Sequence, residues 1–352
     1  MAYAAITKPE LNFNTKLYTG NGTDNHGITG VGFQPDFTWI KPRNEARGHA
    51  IFDAVRGATK MLISNESSAE GTYATTLKSF DSDGFNLGTS NDVNKSSNTH
   101  VAWNWKANGA GSANTDGSIN STVSVNTTAG FSIVSWTGNG TAGATVGHGL
   151  GVVPKMIIMK NLTESARHWQ IYHVNLGNTN YLQFDTNASL PDGGSFNNTS
   201  PTSSVFTLGS SNRGNENTKS FIAYCFAEKT GYSKFSKYTG NNDANGPYIY
   251  TGFKPSFVML KSITSGNTQN WFVYDNKRDG YNGSTDGYML RPLWANSSNS
   301  EASVGNYKFD IYSNGFKLRE SGNQTNGSSQ EYIYMAFGQS LVGSNNVPCT
   351  AR

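Results

Sequence analysis

The sequence is poor in charge and in helix-forming stretches. Only 14% of its 352 residues are charged, where about 25% is usual. The formal net charge is +3, and its scattered cations argue against a nucleic-acid-binding surface. No stretch of about 15 good helix formers repeats its apolar residues with the helical period. The sequence therefore excludes a mainly helical fold.

Cysteine and long apolar runs are also scarce. The two cysteines are Cys225 and Cys349, and the first lies in an apolar, strand-like run, which favours a buried thiol over a disulfide. The N-terminal segment lacks the basic start and apolar core of a signal peptide, and no run reaches the length of a membrane span. We therefore expect synthesis in a cytoplasm and no membrane insertion.

Glycine, aromatic and small polar residues are abundant instead. The chain contains 39 Gly, and 12% of its residues are aromatic. Thr, Tyr, Trp and Phe favour strands, whereas Gly and Asn favour turns that need a positive φ. This composition predicts an all-β fold.

One short phrase occurs three times. It reads GFQPDFTWIK at 32–41, GVVPKMIIMK at 151–160 and GFKPSFVMLK at 252–261. Each copy follows an aromatic residue with a glycine turn and precedes three further aromatic-rich landmarks in a fixed order. The period of about 100 residues suits one small β-sandwich. The proline should open a core strand that is covered on both faces or lies at a module interface.

The repeat predicts a domain organisation. We expect three tandem antiparallel β-sandwich modules, lectin-like or jelly-roll in type, at 15–110, 130–231 and 232–343. Residues 111–129 are expected to form a linker or an added edge strand. Residues 1–14 and 344–352 are expected to be arms that dock on a neighbouring subunit or protein. The N-terminal arm carries four apolar residues that it is too short to bury alone: Tyr3, Ile6, Leu11 and Phe13.

Catalytic and metal-binding patterns are weak. Asp53 and Asp275 occupy matching positions, but the second copy has His173 there, so we expect a turn or solvated-edge role for both acids. His168 and His173 should point to opposite faces of a strand, which does not make a zinc site. The Asp/Asn loops at 23–25 and 241–245 leave Ca²⁺ as an alternative, without EF-hand spacing. We predict a protein that is not an enzyme and has no catalytic residue.

The aromatic residues divide into two groups. Four tryptophans fall on the landmarks of the repeat and are predicted to be core residues: Trp103, Trp105, Trp169 and Trp271. Four aromatics lie off the landmarks and are candidate glycan-binding surface residues: Trp294, Tyr248, Tyr250 and Tyr281. An exposed ring stacks on the apolar face of a sugar while nearby amides and carboxylates bind its hydroxyls.

The motif set YTGNGT, GHGLGVVPKMIIMKN, SDGFNLG, VAWNWKANG and NNVPCTAR resembles a repeat module of bacteriophage virion proteins, especially from marine phages. The resemblance covers nearly the whole chain and implies modules similar to concanavalin-like or SPRY-like sandwiches. It implies a non-enzymatic structural protein on the virion surface, homo-oligomeric with a trimer favoured, whose partners are other tail or capsid proteins. It carries over no binding residue.

The resemblance leaves the position in the particle open. The first expectation is a tail fibre or tail-associated adhesin that attaches to a host cell-surface glycan. The alternative is a capsid decoration protein, of the cement or head-fibre kind. A glycan depolymerase comes third, because such an enzyme needs a pair of carboxylates that the sequence does not visibly offer.

Overall fold

The computed structural model of the chain describes residues 5–185, 189–191 (backbone), 194–264, 269–278, 291–301 and 307–339. It is 2% helical and 42% strand, and every ladder between its named strands is antiparallel, as in β1 against β9 (Phe13–Thr19 against Thr99–Trp105). The prediction of an all-β fold is confirmed. Within the described residues, no helix has the length and apolarity to cross a membrane.

The first pair of sheets uses residues 13–105. A 3₁₀ turn (Pro9–Leu11) precedes it, and a short helix α1 (Asn91–Asn94) lies before its last strand. Its strands are β1 (Phe13–Thr19), β2 (His26–Thr29), β3 (Phe37–Pro42), β4 (Ala50–Asp53), β5 (Lys60–Ile63), β6 (Gly71–Thr72), β7 (Leu77–Asp81), β8 (Gly84–Leu87) and β9 (Thr99–Trp105). The large sheet has the order β1-β9-β3-β4-β5-β6 and the small sheet β2-β8-β7. We call this pair the first unit.

The second unit uses residues 112–226. Its strands are β10 (Ser112–Asn114), β11 (Ser121–Asn126), β12 (Phe131–Thr137), β13 (Thr145–Gly147), β14 (Met156–Asn161), β15 (Gln170–His173), β16 (Asn180–Leu182), β17 (Ser189–Pro191), β18 (Val205–Thr207) and β19 (Ser220–Phe226). The large sheet has the order β10-β11-β12-β19-β14-β15-β16-β17, and β13 pairs with β18.

The third unit uses residues 233–338. Its strands are β20 (Ser233–Thr239), β21 (Tyr248–Tyr250), β22 (Pro255–Ser262), β23 (Phe272–Asp275), β24 (Leu293–Trp294), β25 (Phe309–Tyr312), β26 (Gly315–Leu318) and β27 (Glu331–Gly338). The large sheet has the order β20-β27-β22-β23-β24 and the small sheet β21-β26-β25. A shared order of five strands, as in β1-β9-β3-β4-β5, therefore recurs in the three large sheets, and the second unit adds β10 and β11 at one edge.

The repeated phrase forms the same strand in each unit. β3, β14 and β22 each lie between the last strand of their unit and the strand that follows the phrase. Pro255 is the first residue of β22, and Pro35 and Pro154 lie two residues before β3 and β14. All residues of the three strands are buried. The strands are buried on both faces as predicted, whereas the prediction that the proline opens the strand is met by Pro255 and not by Pro35 or Pro154.

Each strand of the phrase is covered on one face by its own small sheet and on the other by the neighbouring units. In the first unit, Phe85 of the small sheet shares a core with Ile40 and Phe52 of the large sheet, and the other units have equivalent cores. The opposite faces of the three large sheets meet in one central core. This core includes Trp39, Trp103, Trp105, Phe131, Ile158, Trp169, Tyr224, Phe257, Trp271 and Met335.

The central core decides one of the sequence expectations and leaves another open. All four landmark tryptophans are buried in it, so their prediction as core residues is confirmed. Because the three units share this core, the boundaries expected for three separate modules stay a prediction. If the units separated, the apolar residues on the second face of β3, β14 and β22 would lose their packing partners.

The segments outside the predicted modules also belong to the folded body. Of the two expectations for residues 111–129, the added edge strand holds and the linker does not, because β10 and β11 extend the large sheet of the second unit. Ile6 and Phe13 are buried in the chain's own central core, which corrects the expectation that the N-terminal arm docks them on a neighbour. Leu11 is exposed. Tyr3 and residues 344–352 lie outside the described residues.

Three buried asparagines explain the glycine turns that open each copy. Asn94 accepts a hydrogen bond from the Asn21 backbone N–H and donates to the Thr23 and Gly88 carbonyls. Asn215 makes the equivalent bonds in the second unit, and Asn326 makes them in the third. In each unit, one asparagine side chain thus hydrogen-bonds the backbone of a turn that lies 73–85 residues earlier in the chain. This anchor was missed from the sequence, although all three asparagines fall at matching points of the repeat.

Candidate functional site

The four candidate surface aromatics have different outcomes. Tyr248 and Tyr250 are 44% and 65% exposed, respectively, on β21. Residues two apart on a strand point to the same side of the sheet, so both rings face solvent on the outer side of the small sheet. Tyr281 lies outside the described residues. Only the two tyrosines of β21 are therefore placed as the sequence led us to expect.

Trp294 is not an exposed loop residue. It belongs to the two-residue strand β24 and pairs with Phe272. Its ring is half-buried and lies edge-to-face against Phe272 and Tyr307, at centroid distances of 6.3 and 6.1 Å. The indole nitrogen is buried with no hydrogen-bond partner among the described residues. The expectation of a sugar-stacking Trp294 in a polar loop is therefore corrected: the third unit uses this ring to pack its sheet edge.

The outer side of the small sheet carries a third tyrosine. Tyr312 of β25 lies edge-to-face against Tyr248 at a centroid distance of 5.6 Å. The Tyr248 hydroxyl donates to the side-chain oxygen of Asn314, and Lys317 lies opposite Tyr248 in the strand register. We call Tyr248, Tyr250 and Tyr312 the tyrosine face. It offers aromatic rings beside an amide and an ammonium group.

Desolvation makes the phenol of Tyr248 harder to ionise. Partial burial raises its pKa above the ordinary value, with smaller contributions in the same direction from Tyr250 and Tyr312. A neutral phenol retains both a donor and an acceptor. Tyr312, Asn314 and Lys317 were missed from the sequence. Lys317 lies on β26 next to β21, Tyr312 lies on β25 one strand further, and Asn314 is in the turn that joins these two strands. The signal for Tyr312 and Lys317 was the alternation of residues on β25 and β26.

The other two units have small residues where the third unit has tyrosines. Ile249 pairs with Phe316, as Ile28 pairs with Phe85 and Val146 with Phe206. These registers align Tyr248 with Gly27 and Thr145. They also align Tyr250 with Thr29 and Gly147. The fold is therefore built twice in this chain without an aromatic residue at either position, so the tyrosine pair is not a requirement of the sandwich.

The matching acids are buried between units, which corrects the expected solvated-edge role. The expected turn role is borne out, because Asp53 accepts from the Arg56 backbone N–H and Asp275 from the Lys277 and Arg278 backbone N–H groups. Asp53 is fully buried, ion-pairs with Arg56 (2.5 Å) and accepts from the Tyr224 hydroxyl (2.8 Å). Asp275 is equally buried. It ion-pairs with Arg278 at 2.6 Å and accepts from the Trp103 indole at 3.0 Å. Because each carboxylate has no access to solvent and is paired with these groups, its role is structural.

The three lysines that close the repeated phrase are also buried, and two of them donate to a neighbouring unit. Lys41 donates to the Ser298 carbonyl of the third unit at 3.2 Å, and Lys160 donates to the Ser67 carbonyl of the first unit at 3.2 Å. Burial lowers the pKa of Lys41 to about 7, that of Lys160 to about 8 and that of Lys261 to about 7. Each ammonium group thus binds backbone carbonyls in place of water.

The loops considered for Ca²⁺ have internal partners. Asp24 ion-pairs with Lys78 at 2.8 Å, which lowers the pKa of that exposed carboxyl. Asp243 accepts from the Asn245 backbone N–H at 2.8 Å. Among the residues that the structure describes, no three His, Cys, Asp or Glu side chains are grouped to hold a metal ion.

The chain was compared with known proteins and families. No curated protein and no solved structure matches it. One family matches residues 8–340, which is most of the chain and includes all three units. The matched residues thus include the tyrosine face, the buried hydrogen bonds between units and the central core. The chain belongs to the DUF7483 family, which is described as a domain of unknown function.

Proposed function

We propose that the protein is a non-enzymatic structural component of a bacteriophage virion, placed at the tail, that attaches to a host cell-surface glycan through its tyrosine face. The resemblance of the repeated motifs to virion proteins supports the location. The exposed rings support the ligand class, because aromatic side chains stack on the apolar faces of sugars. Asn314 and Lys317 supply hydrogen bonds to hydroxyl groups beside them.

The observation that carries the proposal is the exposure of Tyr248 and Tyr250 at positions where two similar units have Gly or Thr. Large apolar side chains on a solvated strand stabilise the fold little, and the first and second units show that the small sheet forms without them. A pair of rings added to one unit is best explained by contact with a ligand.

Cell adsorption of the purified protein tests the proposal. Fluorescently labelled protein should bind cells of the phage's host in a saturable manner, and periodate oxidation of the cell-surface sugars should abolish the binding. The double variant Y248A/Y250A should bind much more weakly, because loss of an aromatic anchor costs about 2 kcal/mol or more, roughly thirtyfold. Its melting temperature should stay near that of the unmodified protein.

A matched control is available in the first unit. Thr29 occupies the position of Tyr250, so T29A removes a side chain at the equivalent place and should leave adsorption unchanged. Adsorption that survives in Y248A/Y250A would refute the tyrosine face as the attachment site. Adsorption that survives periodate would refute a glycan receptor.

Capsid decoration is the second candidate. It is favoured by the arrangement of three similar units around one shared core, because a compact body of this kind can sit on a shell without an extended fibre. This function predicts saturable binding of the purified protein to undecorated capsids. It predicts no adsorption to host cells, whatever residue stands at position 248.

A further inference from the structure

An open cleft of about 580 Å³ lies between the first and second units. Its floor is the large sheet of the second unit, where β11, β12 and β19 continue beyond the central core. Its wall comes from the first unit and includes Lys60 and Glu70. The volume is within the range of small-molecule binding sites, about 300–1,000 Å³. The cleft is distant in the chain from the tyrosine face and shares no residue with it.

The floor of the cleft is a strip of hydroxyl groups. Thr122 of β11 pairs with Ser135 of β12, and Thr137 of β12 pairs with Ser220 of β19. Paired residues have their side chains on the same face, about 5 Å apart, and Ser135 and Thr137 share a face because they are two apart. Four hydroxyls thus line one continuous surface across three strands.

The charges of the wall are balanced within the protein. Lys60 ion-pairs with Glu70 at 2.8 Å, and Arg56 lies 3.1 Å from the same carboxylate. Arg56 also pairs with the buried Asp53. Two cations therefore face two anions. Val55 and Leu162 add apolar surface beside them. Such a site offers many hydrogen-bonding groups, some apolar contact and no excess charge.

The equivalent cleft between the third and first units serves as an internal comparison. Its volume is about 310 Å³, and Arg291 and Glu301 take the places of Lys60 and Glu70. Leu17 takes the place of Ser135, since it pairs with Val101 as Ser135 pairs with Ile222. Leu17 packs against the central core, and the first unit has no strand equivalent to β11. The Thr122–Ser135 half of the hydroxyl floor is therefore particular to the cleft between the first two units, and the fold accepts leucine at the Ser135 position. The other half has a counterpart in the first unit, where Thr19 pairs with Thr99.

We propose that this cleft binds a neutral oligosaccharide segment, with the sugar hydroxyls hydrogen-bonded to Thr122, Ser135, Thr137 and Ser220 and to the Lys60–Glu70 pair. The ligand class follows from the three properties above: a strip of hydroxyls, balanced charge and flanking apolar side chains. A strongly anionic ligand would have to break the pairing of Lys60 with Glu70.

A glycan array that contains neutral, sialylated and sulfated oligosaccharides tests the proposal. The variant Y248A/Y250A is used as the background, so that binding at the tyrosine face does not contribute. In this background the protein should bind neutral oligosaccharides on the array. Adding S135L, which installs the residue of the first unit, should weaken that binding by about tenfold or more. T137L should act in the same direction.

The control is T19L, which makes the same change at the position equivalent to Thr137 in the first unit and should leave binding unchanged. Thermal melting should show that all of these variants are folded. Binding of charged glycans alone, the absence of any neutral glycan binding in this background, or equal binding by the S135L variant would each overturn the proposal. None of these outcomes bears on adsorption through the tyrosine face.

Discussion

Trp103 of the first unit donates its indole N–H to Asp275 of the third unit, 172 residues away, at 3.0 Å. Tyr224 of the second unit makes the corresponding bond to Asp53 of the first, at 2.8 Å. Trp103 and Tyr224 are equivalent, because each lies two residues before the last core aromatic of its unit's final strand. Two of the three interfaces therefore contain the same buried polar tie.

The third interface explains the histidine of the second copy. Its equivalent of Trp103 and Tyr224 is Met335, which has no N–H or O–H to donate. His173 stands in place of the aspartate, and its Nε2 lies 3.3 Å from the Tyr334 carbonyl oxygen. Leu176 stands in place of the arginine. Donor, acceptor and counter-ion are thus replaced together, which avoids a buried unpaired carboxylate.

Removal of the Tyr224 hydroxyl should measure the strength of this tie. The Y224F variant removes one of the donors of the buried Asp53, which keeps only its bonds to Arg56, and we expect a loss of about 1–3 kcal/mol in the free energy of unfolding. Tyr232 is equally buried, but its hydroxyl has no partner in the described part of the chain. Y232F is therefore the matched control and should be neutral or slightly stabilising. Urea denaturation that shows equal losses for both variants would contradict the role of the tie.

The N-terminal segment should stabilise the chain that carries it. Phe13 packs on Trp105, Phe257 and Phe337, at centroid distances of 4.6, 5.5 and 5.1 Å. F13A should therefore cost about 3–5 kcal/mol, whereas L11A, at an exposed position two residues away, should stay within about 0.5 kcal/mol. Chemical denaturation distinguishes the two. A small effect of F13A would show that the segment leaves the core and would restore docking on a neighbour.

The buried lysines predict that stability rises with pH. Their folded pKa values of about 7, 8 and 7 lie below the ordinary 10.5, so the unfolded chain binds more protons than the folded chain in this interval. The free energy of unfolding should therefore increase from pH 7 to pH 9, by about 1–2 kcal/mol for each lysine. Buried His100 and His173, with pKa values lowered to about 4, extend the same trend below pH 6.5.

Urea midpoints at pH 7 and pH 9 check this dependence. The K160M variant should show a smaller rise than the unmodified protein, because one of the three titrating groups is gone. A flat or falling profile between these pH values would mean that the ammonium groups are better solvated than their burial indicates.

Much of the fold can be predicted from local sequence, because the repeated phrase and its landmarks show which strands recur in each unit. The nearly continuous apolar runs in Met156–Asn161 and Pro255–Ser262 indicate two buried faces, but they do not say what covers each face. The second face is covered by other units, through pairs such as Trp103 and Asp275 that have no local signal. Trp294 was misassigned because its strand has only two residues and is followed by Ser and Asn. Tyr248 and Tyr250 were found because they depart from the repeat.

The shared central core predicts that the three units unfold together, since any unit that separates exposes the core faces of the other two. Differential scanning calorimetry of the whole chain tests this most directly. We expect one endotherm whose calorimetric enthalpy agrees with the van't Hoff enthalpy. Two or three resolved endotherms, each retained when one unit is expressed alone, would contradict a single folding body built around Trp103, Tyr224 and Met335.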